Sequence, residues 1–225
     1  MNIEKTYQDF LLEFNNHLKL INRKALLLAV SKTKPMEDIL KLLALGQSDF
    51  GENYAQELRD KAGHEPPPSS NINWHYIGNV QQNKLKYIVG KTCLIHTIDS
   101  YKKAETVNNF CLKKDLVQPV LLQVNISQDP NKSGASIGEI YDLFIKATEL
   151  KNIDVKGLMT ITQYSKNPEH SRKYYQKMKE FSKKLEENIE KSLELSMGMS
   201  NDYKVALEEG STIVRVGTKI FGERV

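Results

Sequence analysis

Two lysines, Lys32 and Lys34, close an apolar run in AVSKTKP (Ala29 to Pro35) that reads as a buried strand, and Pro35 then opens a helix. An amine held at a partly desolvated strand end has a lowered pKa, and its neutral form attacks an aldehyde to give a Schiff base. Counting back by two from Lys32 reaches Val30 and Leu28, so a strand that buries those residues aims Lys32 the same way. Lys34 lies one step further out, where Pro35 holds it extended at the start of the turn. The plain alternative is that both amines run from a strand end into water. A second set of residues lies far along the chain. SMGMSND (Ser196 to Asp202) and RVGTKIFG (Arg215 to Gly222) each carry a strand end into a helix signal, with Ser200 as the expected N-cap. Gly198 and Gly217 let backbone approach an anion, and Ser200 and Thr218 offer hydroxyls beside free N–H groups, the makings of a phosphate site. For Ser200, ordinary helix capping competes with that reading.

The elements that must position these residues alternate. Strand-like runs fall at Ala25 to Ser31, Asp49 to Gly51, Trp74 to Ile77, Cys93 to Ile98, Pro119 to Asn125, Val155 to Thr160, Leu193 to Met197 and Thr212 to Val216. Helical patterns open between them at Pro35, Asn53, Gln81, Ser100, Ser136, Pro168 and Asn201. Such alternation means parallel strands with right-handed crossovers, and eight units close into a (β/α)8 TIM barrel. A doubly wound open sheet is the competitor, but no GxGxxG follows the first strand. Ile3, Tyr7, Phe10, Leu11, Phe14, Leu18 and Ile21 recur at helical spacing, predicting an extra N-terminal helix. The residues after the eighth strand are too few for a full crossover helix, and the N-terminal helix is expected to cover that gap. No linker divides the chain, so residues 1–225 are expected to form one domain, with HEPPPSSN (His64 to Asn71) as a stiff surface excursion.

Composition narrows the functional classes. The 225 residues carry a net charge of +4, but the lysines are spread over helix surfaces without interleaved aromatics, which argues against a nucleic-acid partner. The two cysteines, Cys93 and Cys111, follow no metal-ligand spacing and make no disulfide framework, so a reducing cytoplasmic setting and no metal are expected. No apolar run approaches a membrane span, and MNIEKTYQDF has no signal-peptide core. In a closed barrel strand eight neighbours strand one, so the phosphate loops adjoin Lys32. A Schiff-base lysine beside a phosphate site points to an aldehyde phosphate, and pyridoxal 5'-phosphate needs that pair. An aldolase acting on sugar phosphates would use the same parts.

AVSKTKP, FGENYAQE (Phe50 to Glu57), WHYIGNVQQNK (Trp74 to Lys84), NKSG (Asn131 to Gly134), GLMTI (Gly157 to Ile161), SMGMSND and VRVGTKIFG occur in this order across nearly the whole chain. Together they resemble the pyridoxal phosphate homeostasis proteins, whose fold is similar to the N-terminal barrel of alanine racemase. Tyr76, Asn79 and Val80 stand where that pattern has Phe, Pro and Leu. The resemblance implies that Lys32 carries the cofactor as a Schiff base, and that the protein keeps cofactor balance without established turnover, supplying pyridoxal phosphate to apo-enzymes. A monomer is expected. Arg215 shares a face with Ile213 and Gly217, so if Gly217 meets the phosphate, Arg215 reaches the cofactor ring. There a permanent cation opposes protonation of the pyridine nitrogen and weakens the ring as an electron sink. The alternative for Arg215 is a structural pair with Glu52.

Other positions carry less. Asn53 follows strand two and either bonds the cofactor or caps a helix. His75 reads as a satisfied core histidine, Lys132 as a turn residue or a secondary cofactor contact. Tyr175, Met178, Phe181 and Leu185 share a helix face that reads as core. The competing function is an amino-acid racemase using the same cofactor. It would need a second acid/base opposite Lys32, for which Tyr54 and Tyr76 are the nearby phenols.

Overall fold

Parallel strands covered on both faces need continuous apolar runs, and the eight runs pair accordingly. In the computed structural model, which describes residues 2–63, 71–130, 132–189 and 191–223, they form one closed barrel in sequence order. The strands are β1 Leu26–Val30, β2 Asp49–Glu52, β3 Asn73–Tyr76, β4 Leu94–Ile98, β5 Gln118–Val124, β6 Ile153–Thr160, β7 Glu194–Met199 and β8 Ile213–Val216. All pairs are parallel, and β1 closes on β8 with Leu26 opposite Ile213 and Leu28 opposite Arg215. The helices are α1 Ile3–Leu20, α2 Met36–Ala44, α3 Ala55–Ala62, α4 Tyr101–Leu112, α5 Ile140–Thr148, α6 Arg172–Ile189, α7 Tyr203–Glu208 and α8 Thr218–Phe221.

Alternation along each strand divides the core. Leu28, Leu94, Leu121, Met159 and Ile213 fill the barrel. Leu27, Ala29, Phe50, Ile95, Leu122, Leu158, Val214 and Val216 face outward into a larger cluster under the helices. Tyr175, Met178 and Leu185 of α6 are buried in that cluster, with Phe181 packed against it, as the helical spacing predicts. In α1, Ile3, Tyr7, Phe10, Phe14 and Leu18 are buried, and Phe10 sets its ring edge-on to Tyr203 at 5.4 Å.

Several expectations need correction. The segment expected as a helix from Gln81 is a 3-10 turn at Gln82–Tyr87, and the one from Pro168 begins with a 3-10 turn at Pro168–Ser171 before α6. A one-turn helix, α8, does follow β8, and α1 packs beside it. The HEPPPSSN excursion falls, Asn71 apart, outside the described residues, as does Asn131 of NKSG. No helix among the described residues is long and apolar enough to cross a membrane.

Candidate cofactor site

Lys32 lies two residues past the end of β1 and is placed by a tight turn, Ser31 to Lys34, closed by a 3.0 Å bond from Lys34 N–H to Ser31 O. Its third residue, Thr33, has φ +63°, a conformation that Gly or Asn usually supplies and that a β-branched residue adopts only under strain. Glu57 holds it there by accepting the Thr33 N–H at 2.6 Å. Behind the turn, buried Lys61 donates to Ser31 O at 2.8 Å, Glu52 Oε1 at 2.8 Å and Glu57 Oε1 at 2.7 Å, while Ser31 Oγ donates to Glu52 at 2.5 Å. Burial pushes the Glu52 carboxyl up, and Lys61 and Ser31 oppose that rise. Glu52 is therefore not the partner of Arg215. It shares its strand face with Phe50 and points away from the barrel interior. This carboxylate-lysine network fixes the turn that presents Lys32, and none of it beyond Glu52 was anticipated.

Six residues at or just beyond the ends of four strands, β1, β2, β7 and β8, meet at the C-terminal mouth. Lys32, Asn53, Ser200, Arg215, Gly217 and Thr218 all line one cavity of about 320 Å³, whose apolar wall includes Val30, Ile77, Met159 and Ile161. The mouth is where barrel loops gather. Lys34 also reaches it, but its Nζ donates to Phe221 O at 3.1 Å. Asn53 does not cap α3, whose N-cap is Tyr54; its Oδ1 is buried and accepts no hydrogen bond. Gly78 explains the position of Asn53, since a Cβ there would stand 1.8 Å from Asn53 O. Gly78→Ala is expected to push Asn53 aside at a cost of about 3 kcal/mol. A thermal melt should show Tm lowered by roughly 6–12 °C.

Ser200 is not an N-cap either. β7 runs to Met199, α7 starts at Tyr203 with Asp202 as its N-cap, and Ser200 sits in the intervening turn. There its Oγ accepts the Gly217 N–H at 3.2 Å, tying the loops after β7 and β8 together. Asp202 braces the turn: Oδ1 accepts Met199 N–H at 2.8 Å, and Oδ2 accepts Ser171 at 2.9 Å and Tyr175 at 2.7 Å. Gly198 serves packing, not the cavity. With φ +92° it brings β7 against α7, where a Cβ would lie 2.4 Å from Ala206 Cβ.

Arg215 is 4% exposed. Its Nη1 donates to Ser196 Oγ at 2.6 Å and its Nη2 to Thr160 O at 2.8 Å. Burial lowers the guanidinium to about 10, so it stays charged at neutral pH. His75 is buried, as a core histidine should be, against His96 and Asp49. Lys132 lies outside the cavity and donates to Thr162 O; burial lowers its ammonium. Tyr76 is buried with its hydroxyl on Asn79 O at 3.1 Å and is pushed up to about 12 by burial. Tyr54 stands exposed beside the site without lining it. The phenol at the cavity is instead Tyr164, 75% exposed in the loop after β6. No periodicity marks that loop. A wider opening of about 1030 Å³ lies at the opposite face, among strand beginnings such as Leu26, Asp49, Asn73 and Glu194.

Residues 13–225 match the model of the family described as alanine racemase, N-terminal domain. A curated relative from Aquifex aeolicus, named pyridoxal phosphate homeostasis protein, is 42% identical over 201 residues, covering 89% of this chain and 87% of its own. This chain belongs to the pyridoxal phosphate homeostasis protein family. Among solved structures of the family's fold, PipY of Synechococcus elongatus with PLP bound superimposes with a TM-score of 0.85 at 29% identity, over 98% of this chain and 100% of that one. An alanine racemase from Clostridium difficile shares the barrel, with a TM-score of 0.74 at 16% identity over 93% of this chain and 58% of its own. Within the family pattern, the Tyr76 hydroxyl, which a phenylalanine would lack, bonds the carbonyl of Asn79, where the pattern has proline.

Proposed function

We propose that this chain binds pyridoxal 5'-phosphate at the barrel mouth, as a Schiff base on Lys32, and serves intracellular homeostasis of that cofactor by buffering and delivering it without turnover of amino acids. The observation that carries this reading is the convergence of Lys32, Asn53, Ser200, Arg215, Gly217 and Thr218 on a single cavity. The donor set suits the group. The amines of Lys32 and Lys34, the Arg215 guanidinium, the hydroxyls of Ser200, Thr218 and Tyr164 and the Gly217 backbone surround the space, and among its described lining residues there is no carboxylate to repel a phosphate. The buried Oδ1 of Asn53 is an acceptor left for a ligand donor to satisfy. When bound, pyridoxal phosphate supplies an aldehyde that condenses reversibly with an amine. Lys32 offers that amine from a braced turn, Ser200, Gly217 and Thr218 hold the phosphate, and Arg215 sets a fixed cation against the ring. Action as a monomer in the cytoplasm, a single domain over residues 1–225 and apo-enzymes as recipients belong to the same reading.

Titration of the protein with pyridoxal phosphate, followed by visible absorbance, tests it. The wild-type chain is expected to develop the colour of a lysine-bound cofactor. The Ser200→Ala/Thr218→Ala double variant should lose affinity by about tenfold per hydroxyl, because hydrogen bonds to charged groups contribute about 1.5–3 kcal/mol each. Unchanged affinity in a folded double variant would remove both hydroxyls from the site, and a colourless wild-type protein would overturn the reading.

A further inference from the structure

A line of polar groups crosses the apolar interior of the barrel. Asp49 Oδ1 lies 3.2 Å from His75 Nε2, His75 Nδ1 3.0 Å from His96 Nε2, and His96 Nδ1 2.9 Å from Ser196 Oγ, which meets Arg215 Nη1 at 2.6 Å. With both rings neutral, the two ends fix the direction of every bond. A guanidinium only donates, so Ser196 Oγ accepts from Arg215 and has its single proton to give to the acceptor nitrogen of His96, Nδ1. His96 then carries its proton on Nε2 and donates to His75 Nδ1, and His75 in turn donates from Nε2 to Asp49, which as a carboxylate only accepts. The two neutral rings then share the same tautomer. Burial drives His96 well below its usual range, and Asp49, although burial opposes it, is held low by His75, Ser48 and Asn73, in keeping with those states. Asp49 and His75 line the wide opening at the N-terminal face, whereas Arg215 lines the cavity at the mouth.

We propose that Asp49, His75, His96 and Ser196 are positioning residues for Arg215, acting as one one-way hydrogen-bond chain that anchors its guanidinium to the far end of the barrel. Its bearing on the cofactor rests on the function proposed above; the chain itself does not. Nitrogen NMR of the cofactor-free protein at pH 7.5 is expected to show both rings as the neutral Nε2–H tautomer. Ser196→Ala should release His96 to populate the Nδ1–H form and shift the side-chain resonances of Arg215, and Ser196→Thr should restore both. Asp49→Asn, which touches neither Arg215 nor the mouth, should also move the Arg215 resonances and lower pyridoxal phosphate affinity about threefold to tenfold. A charged or Nδ1–H ring in the wild-type protein, or Arg215 resonances unmoved by Asp49→Asn, overturns the chain. A protein with the expected tautomers that binds no pyridoxal phosphate would instead overturn the function and leave the chain standing.

Discussion

Lys32→Ala is expected to eliminate every borohydride-stable adduct of pyridoxal phosphate with this protein, while Lys34→Ala retains it. The two amines lie two residues apart and both reach the cavity, so proximity does not separate them. Their surroundings do. Lys32 continues the inward face of β1 after Leu26 and Leu28, and its turn is clamped by Lys61, Glu52 and Glu57. Lys34 lies beyond the strained Thr33, with its amine directed to the carbonyl of Phe221. Loss of the covalent bond should weaken retention of the cofactor by about a hundredfold, equivalent to about 2.8 kcal/mol. Reduction with borohydride and mass mapping of the peptides reads the result. A label on Lys34 or Lys132, or a persisting adduct in Lys32→Ala, would reassign the site.

Much of this site was legible because side-chain alternation is a rigid rule. A period of two carries Leu28 to Lys32 and Ile213 to Arg215 and Gly217, and closure of the barrel sets those two strands side by side. The same rule, applied to Phe50 and Glu52, would have turned Glu52 away from Arg215. Cap assignments were less secure for a physical reason: Ser and Asn are suited equally to a helix N-terminus and to a ligand, and a two-residue shift of the helix start decides which. Here β7 and β2 run further than expected, leaving Ser200 and Asn53 in the turns. The chain through His75 and His96 depends on register between strands. Its members are 21 and 100 residues apart, a separation that no local spacing reports. The network under Lys32 likewise joins β1, β2 and α3 through residues whose types are common on any helix surface.

Alanine incubated in deuterated water with the cofactor-loaded protein is expected to exchange its α-proton no faster than with free pyridoxal phosphate. Racemisation needs acid/base groups on both faces of the α-carbon, each contributing about 10²–10⁴ in rate. On the proposed binding mode Lys32 would serve one face. For the other, the described cavity lining holds no carboxylate and no imidazole, and His75 and His96 lie deeper in the barrel behind Ser196 and Arg215. Tyr76 is turned away, bonded to Asn79 and held near 12 by burial, and Tyr54 is 55% exposed off the lining. Tyr164 remains, but at 75% exposure no packing holds its phenol over a substrate. Arg215 would add a second obstacle, because a buried cation set against the ring, as proposed, disfavours the protonated pyridine that stabilises a carbanion. Exchange and transfer to an apo-enzyme should therefore part company, with transfer present and exchange at the background rate. Protein-dependent exchange that disappears in Lys32→Ala and slows in Tyr164→Phe would make this barrel an enzyme and Tyr164 its second catalytic group.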